Sequence, residues 1–269
     1  MPINPIFYQL LLGSYDKSSP LHLLNHNCLA LIFDYMNSWW KEHINTNAPA
    51  MLLFPDKITF PEPLKDENGD FKTVSINMMP FYFGIVDESW PIELTRYKDM
   101  IWECIDILVS EHGLISYLTI HECYVEPEKS QRRPGLHTES PGWFRVGKGV
   151  HEYMDKFVWG AGFITGEQPS GGILMASSVY DSCRVWDAQL QQIDSTSIIG
   201  ELGNIEHLRN VLGPNCVSIP ANQFVWMTDL TPHESVPLQK REFRQYFRIV
   251  TSEISGWYEE HSTPNPDGT

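Results

Sequence analysis

One triplet in this chain sets an imidazole and a carboxylate two residues apart: His137-Thr138-Glu139, within Arg132-Arg133-Pro134-Gly135-Leu136-His137-Thr138-Glu139-Ser140-Pro141-Gly142. On an extended backbone successive side chains alternate faces, so His137 and Glu139 project the same way. No other of the ten histidines is followed by an acid at that offset. Together they make two thirds of a 2-His-1-carboxylate site, the ligand set that holds ferrous iron on one face and leaves its other positions open. One candidate for the missing third is His233, in Thr231-Pro232-His233-Glu234-Ser235-Val236-Pro237-Leu238. Chance alone supplies about one such triplet in a chain this acidic. A surface turn bracketed by Pro134, Gly135, Pro141 and Gly142 would contain the same residues.

Other constellations are weaker. His22 and His26 lie one helical turn apart, but no glutamate motif accompanies them. His121-Glu122 and His151-Glu152 are adjacent pairs, so on a strand their side chains diverge. Ser177-Ser178 and Ser182-Cys183 lack the glycine pattern of a nucleophile elbow. Gly160, Gly162 and Gly166 lack the lysine and spacing of a phosphate loop and suit a barrel corner. Trp143, Phe144, Trp159, Trp186 and Trp226 could line a pocket, though each is better suited to a core.

Composition narrows the partners. The chain has 269 residues, nine Trp and a formal charge of −15. It is long enough for a substantial core. It has no long basic run, so a nucleic-acid partner would meet repulsion, and a small molecule is the easier expectation. The five cysteines are scattered, with no CxxC pair, which suits reduced thiols in a cytoplasmic protein. Met1-Pro2-Ile3-Asn4-Pro5 shows no basic region followed by an apolar core, so a secretory signal is not expected, nor is a membrane span, since charges break the longest apolar runs.

Periodicity gives the elements that must position the triplet. Residues 21–43 and 91–109 carry apolar side chains at helical spacing, with a polar, proline-bearing loop over 54–72 between them. From residue 114 the texture becomes short β-like runs: 114–125, a stretch in or beside 136–139, 157–164, 172–179, 216–219, 224–228 and 242–251. A short helix is expected over 205–212. The expectation is one α+β domain: a mainly helical part (1–113), a β-barrel or sandwich core (114–256) and a flexible tail (257–269).

The order of motifs over residues 136–251 resembles the 2-oxoglutarate/Fe(II)-dependent oxygenase superfamily. The chain presents His137-x-Glu139, then Ser170-Gly171-Gly172 before an apolar run, then Trp226-Met227-Thr228-Asp229 leading to His233, then an arginine-bearing strand. The resemblance implies a double-stranded β-helix (jelly-roll) core with the N-terminal helices packed on one face. It implies His137, Glu139 and His233 as the Fe(II) ligands. It also implies Arg244 first, or Arg248, as the group that binds the distal carboxylate of 2-oxoglutarate, a task that suits a planar, permanently charged guanidinium. O2 and a small-molecule or amino-acid-like substrate would complete the reaction, most simply a hydroxylation. Neither arginine is followed by the Arg-x-Ser pattern of some branches. A cupin-like metal enzyme that dispenses with 2-oxoglutarate therefore stays open, as does a jelly-roll binding module without activity. His-x-Glu also occurs in JmjC-type demethylases, but the lysine pattern of that branch is missing.

Overall fold

The structure, a computed structural model, describes residues 26–85, 90–146, 153–191, 198–266 and 268. His22 and the His151-Glu152 pair lie outside them. The first helical stretch forms α1 (His26–Glu42). The second forms two helices, α2 (Ile92–Thr95) and α3 (Lys98–Ile107), with a break at Arg96-Tyr97. The expected helix over 205–212 is a 3-10 turn (Glu206–Leu208) running into one α turn (Arg209–Leu212).

The expectation of a mainly helical first third is corrected by two strands, β1 (Met51–Lys57) and β2 (Val74–Tyr82). Pro55 and the charges around it had suggested a loop, but β1 is an outer strand, where a missing amide donor is tolerated. The remaining labelled strands are β3 (Ile115–Val125), β4 (Ile173–Ser177), β5 (Cys183–Val185), β6 (Val217–Ser218), β7 (Gln223–Met227), β8 (His233–Ser235) and β9 (Glu242–Val250). Six of them form an antiparallel sheet in the order β1-β7-β4-β9-β3-β2, and three form a second in the order β6-β5-β8. The expected strand over 157–164 is mostly irregular, with a short hairpin strand only at Phe163–Thr165.

Alternation along β9 separates the two faces of the large sheet. Phe247 and Ile249 join Leu118 and Ile120 of β3 in a cluster with Tyr97, Met100, Ile101 and Cys104, so α3 covers that face. Tyr246 and Val250 look the other way. They share a cluster with Met175 and Val225 of the large sheet and with Cys183 and Val185 of the small one. The two sheets therefore face each other, and the parity that puts Arg244 and Arg248 on one side of β9 directs both into the space between them. α1 does not share the cluster of α3: its Met36 and Trp40 pack with Leu136, Trp186, Ile205 and Leu208. Trp226 is a core residue behind the large sheet, with its Nε1 donating to Gly171 O (2.7 Å).

Two backbone features shape the large sheet. Gly172 approaches Trp226 so closely that a Cβ there would lie 2.4 Å from the indole nitrogen, and its φ is +86°. Only glycine fits, which explains the Gly171-Gly172 pair ahead of β4. In β2 the pairing register with β3 shifts between Ile76 and Met79. Val74 and Ile76 face α3, and beyond the bulge so do Met79 and Phe81. Met78, at φ +46°, is turned to the opposite side.

The tail expected to be flexible from residue 257 is instead held along β2 as far as Asn265. Trp257 Nε1 donates to Met78 O (2.9 Å), Thr263 N to Asn77 O (2.8 Å), and Asn265 Nδ2 to Pro80 O (2.8 Å). Composition suggested fraying, but these long-range bonds are invisible to composition. Cys104, Cys123, Cys183 and Cys216 are free thiols. Among the described residues no helix is long and apolar enough to cross a membrane.

Candidate metal centre

His137 and His233 meet because their backbones pair. His137 N donates to His233 O (3.0 Å) and His233 N to His137 O (2.9 Å), an antiparallel bridge that sets the two rings with centroids 4.4 Å apart. His233 belongs to β8, whereas His137 lies in a loop that joins the small sheet through this bridge alone. On the other side of the loop Thr138 N donates to Gly203 O (2.9 Å). The contact is so close that a Cβ on Gly203, whose φ is +79°, would sit 2.1 Å from Thr138 O. Thr138 is thereby turned away, and His137 and Glu139 are both directed into the cavity, as the alternation rule predicts.

The ligand atoms of His137, Glu139 and His233 all lie within 4.8 Å of one another, and no other such group of three occurs among the described residues. Each imidazole is held in one tautomer. His137 Nδ1 donates to Gly135 O (2.7 Å) and His233 Nδ1 donates to Thr231 O (3.0 Å). A carbonyl can only accept, so each ring keeps its proton on Nδ1 and its lone pair on Nε2. Burial and the neighbouring His233 push the His137 pKa down to about 3. That imidazole is therefore neutral, the form in which it can ligate. For Glu139, burial works against ionisation. The Arg248 guanidinium outweighs it and holds the carboxyl well below the usual range.

Both predicted arginines reach the cavity, in different states. Arg248 Nη1 donates to Glu139 Oε1 (2.7 Å), so it is tied to the triad itself. Arg244 donates from Nε to Ser177 Oγ (3.0 Å), while its Nη1 is buried without any partner. The cavity has a volume of about 290 Å³. Its wall includes residues that the sequence did not single out. Tyr246 was legible from parity with Arg244 and Arg248. Asn77, Met78, Tyr258, His261 and Ser262 were not, because only the β2 bulge and the docked tail bring them there. Of the aromatics considered as pocket residues, Trp159 lines the cavity, Trp186 is packed against α1, and the side chains of Trp143 and Phe144 lie outside the described ones.

Asp229 braces the loop that carries Glu139. Its backbone oxygen accepts from Ser140 N (3.0 Å) and its Oδ2 from Trp159 N (2.9 Å). Burial raises its pKa to about 6. The folded state therefore binds the proton more tightly than the unfolded chain does, and stability falls as pH rises from about 4 through about 6, by about 3 kcal/mol. Asp229→Asn keeps an oxygen for the Trp159 amide and removes the titration. In urea unfolding the variant should gain on the wild type between about pH 4 and pH 7. An equal pH dependence in both proteins would remove Asp229 as its source.

No protein-family model matches the chain, and no curated protein matches it in sequence. Solved structures give weak matches. HygX from Streptomyces hygroscopicus with iron bound is 10% identical, with a TM-score of 0.42 over 87% of this chain and 90% of that one. The same protein with nickel, 2-oxoglutarate and hygromycin B bound is 11% identical, with a TM-score of 0.40 over 87% and 89%. EvdO2 from Micromonospora carbonacea var. aurantiaca complexed with 2-oxoglutarate is 11% identical, with a TM-score of 0.35 over 85% and 94%. Likeness at this level decides neither fold nor activity.

Proposed function

We propose that this chain is an Fe(II)- and 2-oxoglutarate-dependent oxygenase that oxidises a C–H bond of a small-molecule or amino-acid-like substrate, most simply by hydroxylation. The observation that carries the reading is the triad. Two imidazoles, each with its Nδ1 on a backbone carbonyl, and one ionised carboxylate converge within 4.8 Å, the donor set that suits ferrous iron with open positions. The bond from Arg248 does not use up Glu139, because a carboxylate has two oxygens and about four acceptor sites. The two facing antiparallel sheets support a double-stranded β-helix within a single domain, and the free cysteines suit a cytoplasmic setting.

His137, Glu139 and His233 would hold the metal. Arg244, fixed by Ser177 with a buried Nη1 unpaired, would take the distal carboxylate of 2-oxoglutarate; a buried donor without an acceptor is costly until a ligand supplies one. Arg248 keeps Glu139 ionised and oriented. The carbonyls of Gly135 and Thr231 keep the rings in the ligating tautomer. Bound there, ferrous iron and 2-oxoglutarate would supply oxidation by O2, with succinate and CO2 as co-products. The walls from Trp159, Met175 and the docked tail limit access of water to the oxidation.

The test is anaerobic loading with Fe(II) and 2-oxoglutarate, then exposure to O2 with succinate measured. Succinate release that requires both is the expected result. Metal uptake without binding of 2-oxoglutarate would replace this reading with that of a metal enzyme lacking the cosubstrate, and no metal uptake would end it.

A further inference from the structure

Resting on the reading above, the structure assigns to Arg132 a second oxyanion subsite: we propose that the substrate carries a carboxylate or phosphate group and that Arg132 binds it. Four arginines line the cavity, the buried Arg244 and Arg248, the half-buried Arg132 and the exposed Arg133, against a single carboxylate, Glu139; Arg133 donates to Leu202 O. Arg248 is matched by Glu139. Arg244 is the cosubstrate anchor. Arg132 is left over: among the described residues it has no hydrogen-bond or ion-pair partner, and the Tyr246 ring centroid lies 5.2 Å from its Cζ. A half-buried guanidinium that lines a cavity without an acceptor of its own offers its donors to an anionic ligand there. The overall charge of −15 makes this local excess of positive charge more telling.

The position of Arg132 is built. The neighbouring Gln131 Nε2 donates to Arg244 O (2.9 Å) and His121 O (3.2 Å), which ties the segment to β9 and β3. Leu136 N donates to Glu206 Oε2 (2.9 Å), which holds the far end of the same segment. The Tyr246 ring also lies under Arg244, at 5.4 Å, so one phenol contacts both guanidiniums. The two carboxylates of 2-oxoglutarate are accounted for by Arg244 and by the metal positions. An additional anion is the charge that Arg132 lacks.

The experiment titrates inorganic phosphate and benzoate into protein loaded with nickel and 2-oxoglutarate, by calorimetry, for the wild type, Arg132→Gln and Arg132→Lys. The wild type should bind at least one probe saturably. Arg132→Gln should weaken that binding at least about tenfold, as expected for loss of a charge-assisted bond. Arg132→Lys should retain most of it, which shows that the fold survives a change at this position. The affinity for 2-oxoglutarate should change less than about twofold in Arg132→Gln and collapse in Arg244→Gln. Preference for phosphate or benzoate distinguishes a phosphorylated from a carboxylated substrate. Undiminished probe binding in Arg132→Gln, or no probe binding by the wild type, overturns the proposal. Loss of 2-oxoglutarate affinity equal to that of Arg244→Gln also overturns it, by placing Arg132 in the cosubstrate site. If the wild type takes up neither nickel nor 2-oxoglutarate, the oxygenase reading fails, and the same titration of metal-free protein still decides whether Arg132 binds anions.

Discussion

His233→Ala should abolish stoichiometric Fe(II) binding and with it all 2-oxoglutarate-dependent succinate release. Loss of a partner behind a ligand commonly costs about 10- to 100-fold in metal affinity, and loss of a ligand itself should exceed that. The fold should survive, because the backbone pairing of His233 with His137 and Val185 needs no side chain. An alanine there also removes an imidazole that lies 3.6 Å from Glu139 without stranding a charge, since Arg248 still pairs with that carboxylate. Calorimetric titration with Fe(II) under nitrogen, beside a thermal melt of the same sample, separates the two effects. Full metal affinity in the variant would remove His233 from the centre. An unfolded variant would show that the imidazole serves packing.

The largest effect on stability is expected on the other face of the sheet. Glu122 is wholly buried, and its Oε1 accepts from Arg96, from the Tyr97 hydroxyl and from Gln245 Nε2 (3.1 Å). The Arg96 side chain is itself only 7% exposed, so Glu122→Ala leaves a buried guanidinium without its counter-charge. Such a loss costs about 3–5 kcal/mol, whereas replacing both partners by apolar groups is often neutral. Glu122→Ala should therefore shift the urea midpoint strongly, and Arg96→Met combined with Glu122→Leu should recover much of the loss. A shift in Glu122→Ala below about 1 kcal/mol would mean that water reaches Arg96 and that the network is less dry than it looks. Gln245 lies between Arg244 and Tyr246, so this network steadies from behind the strand whose front bears the cavity arginines. Arg96 and Tyr97, at the break between α2 and α3, both reach the Glu122 carboxylate.

The candidate site was legible where chemistry follows local geometry. The two-residue spacing of His137 and Glu139 and the parity of Arg244 and Arg248 each need only the alternation of a strand, and all four side chains reach one cavity. Assigning His233 needed the resemblance, since no local rule links it to His137; the two-way backbone bridge does that. Strands β3, β7 and β9 were legible from β-branched and aromatic alternation. β1 and β2 were not: Pro55 and Pro80 lie in them, and their places at the rims of the sheet, where a proline is tolerated, are set by tertiary pairing. The different states of Arg244 and Arg248 were equally hidden, because they depend on which arginine meets Glu139 and which meets Ser177.

The docked tail has a consequence beyond the cavity. β2 is the outermost strand of the large sheet, and beside its bulge the tail occupies the backbone oxygens of Asn77 and Met78 and the amide of Asn77. A rim with such groups bare is a template for another chain to add to. The tail is thus a cap against edge-to-edge self-assembly, and a chain cut before Trp257 would become a dimerising or aggregating one even with its metal ligands intact.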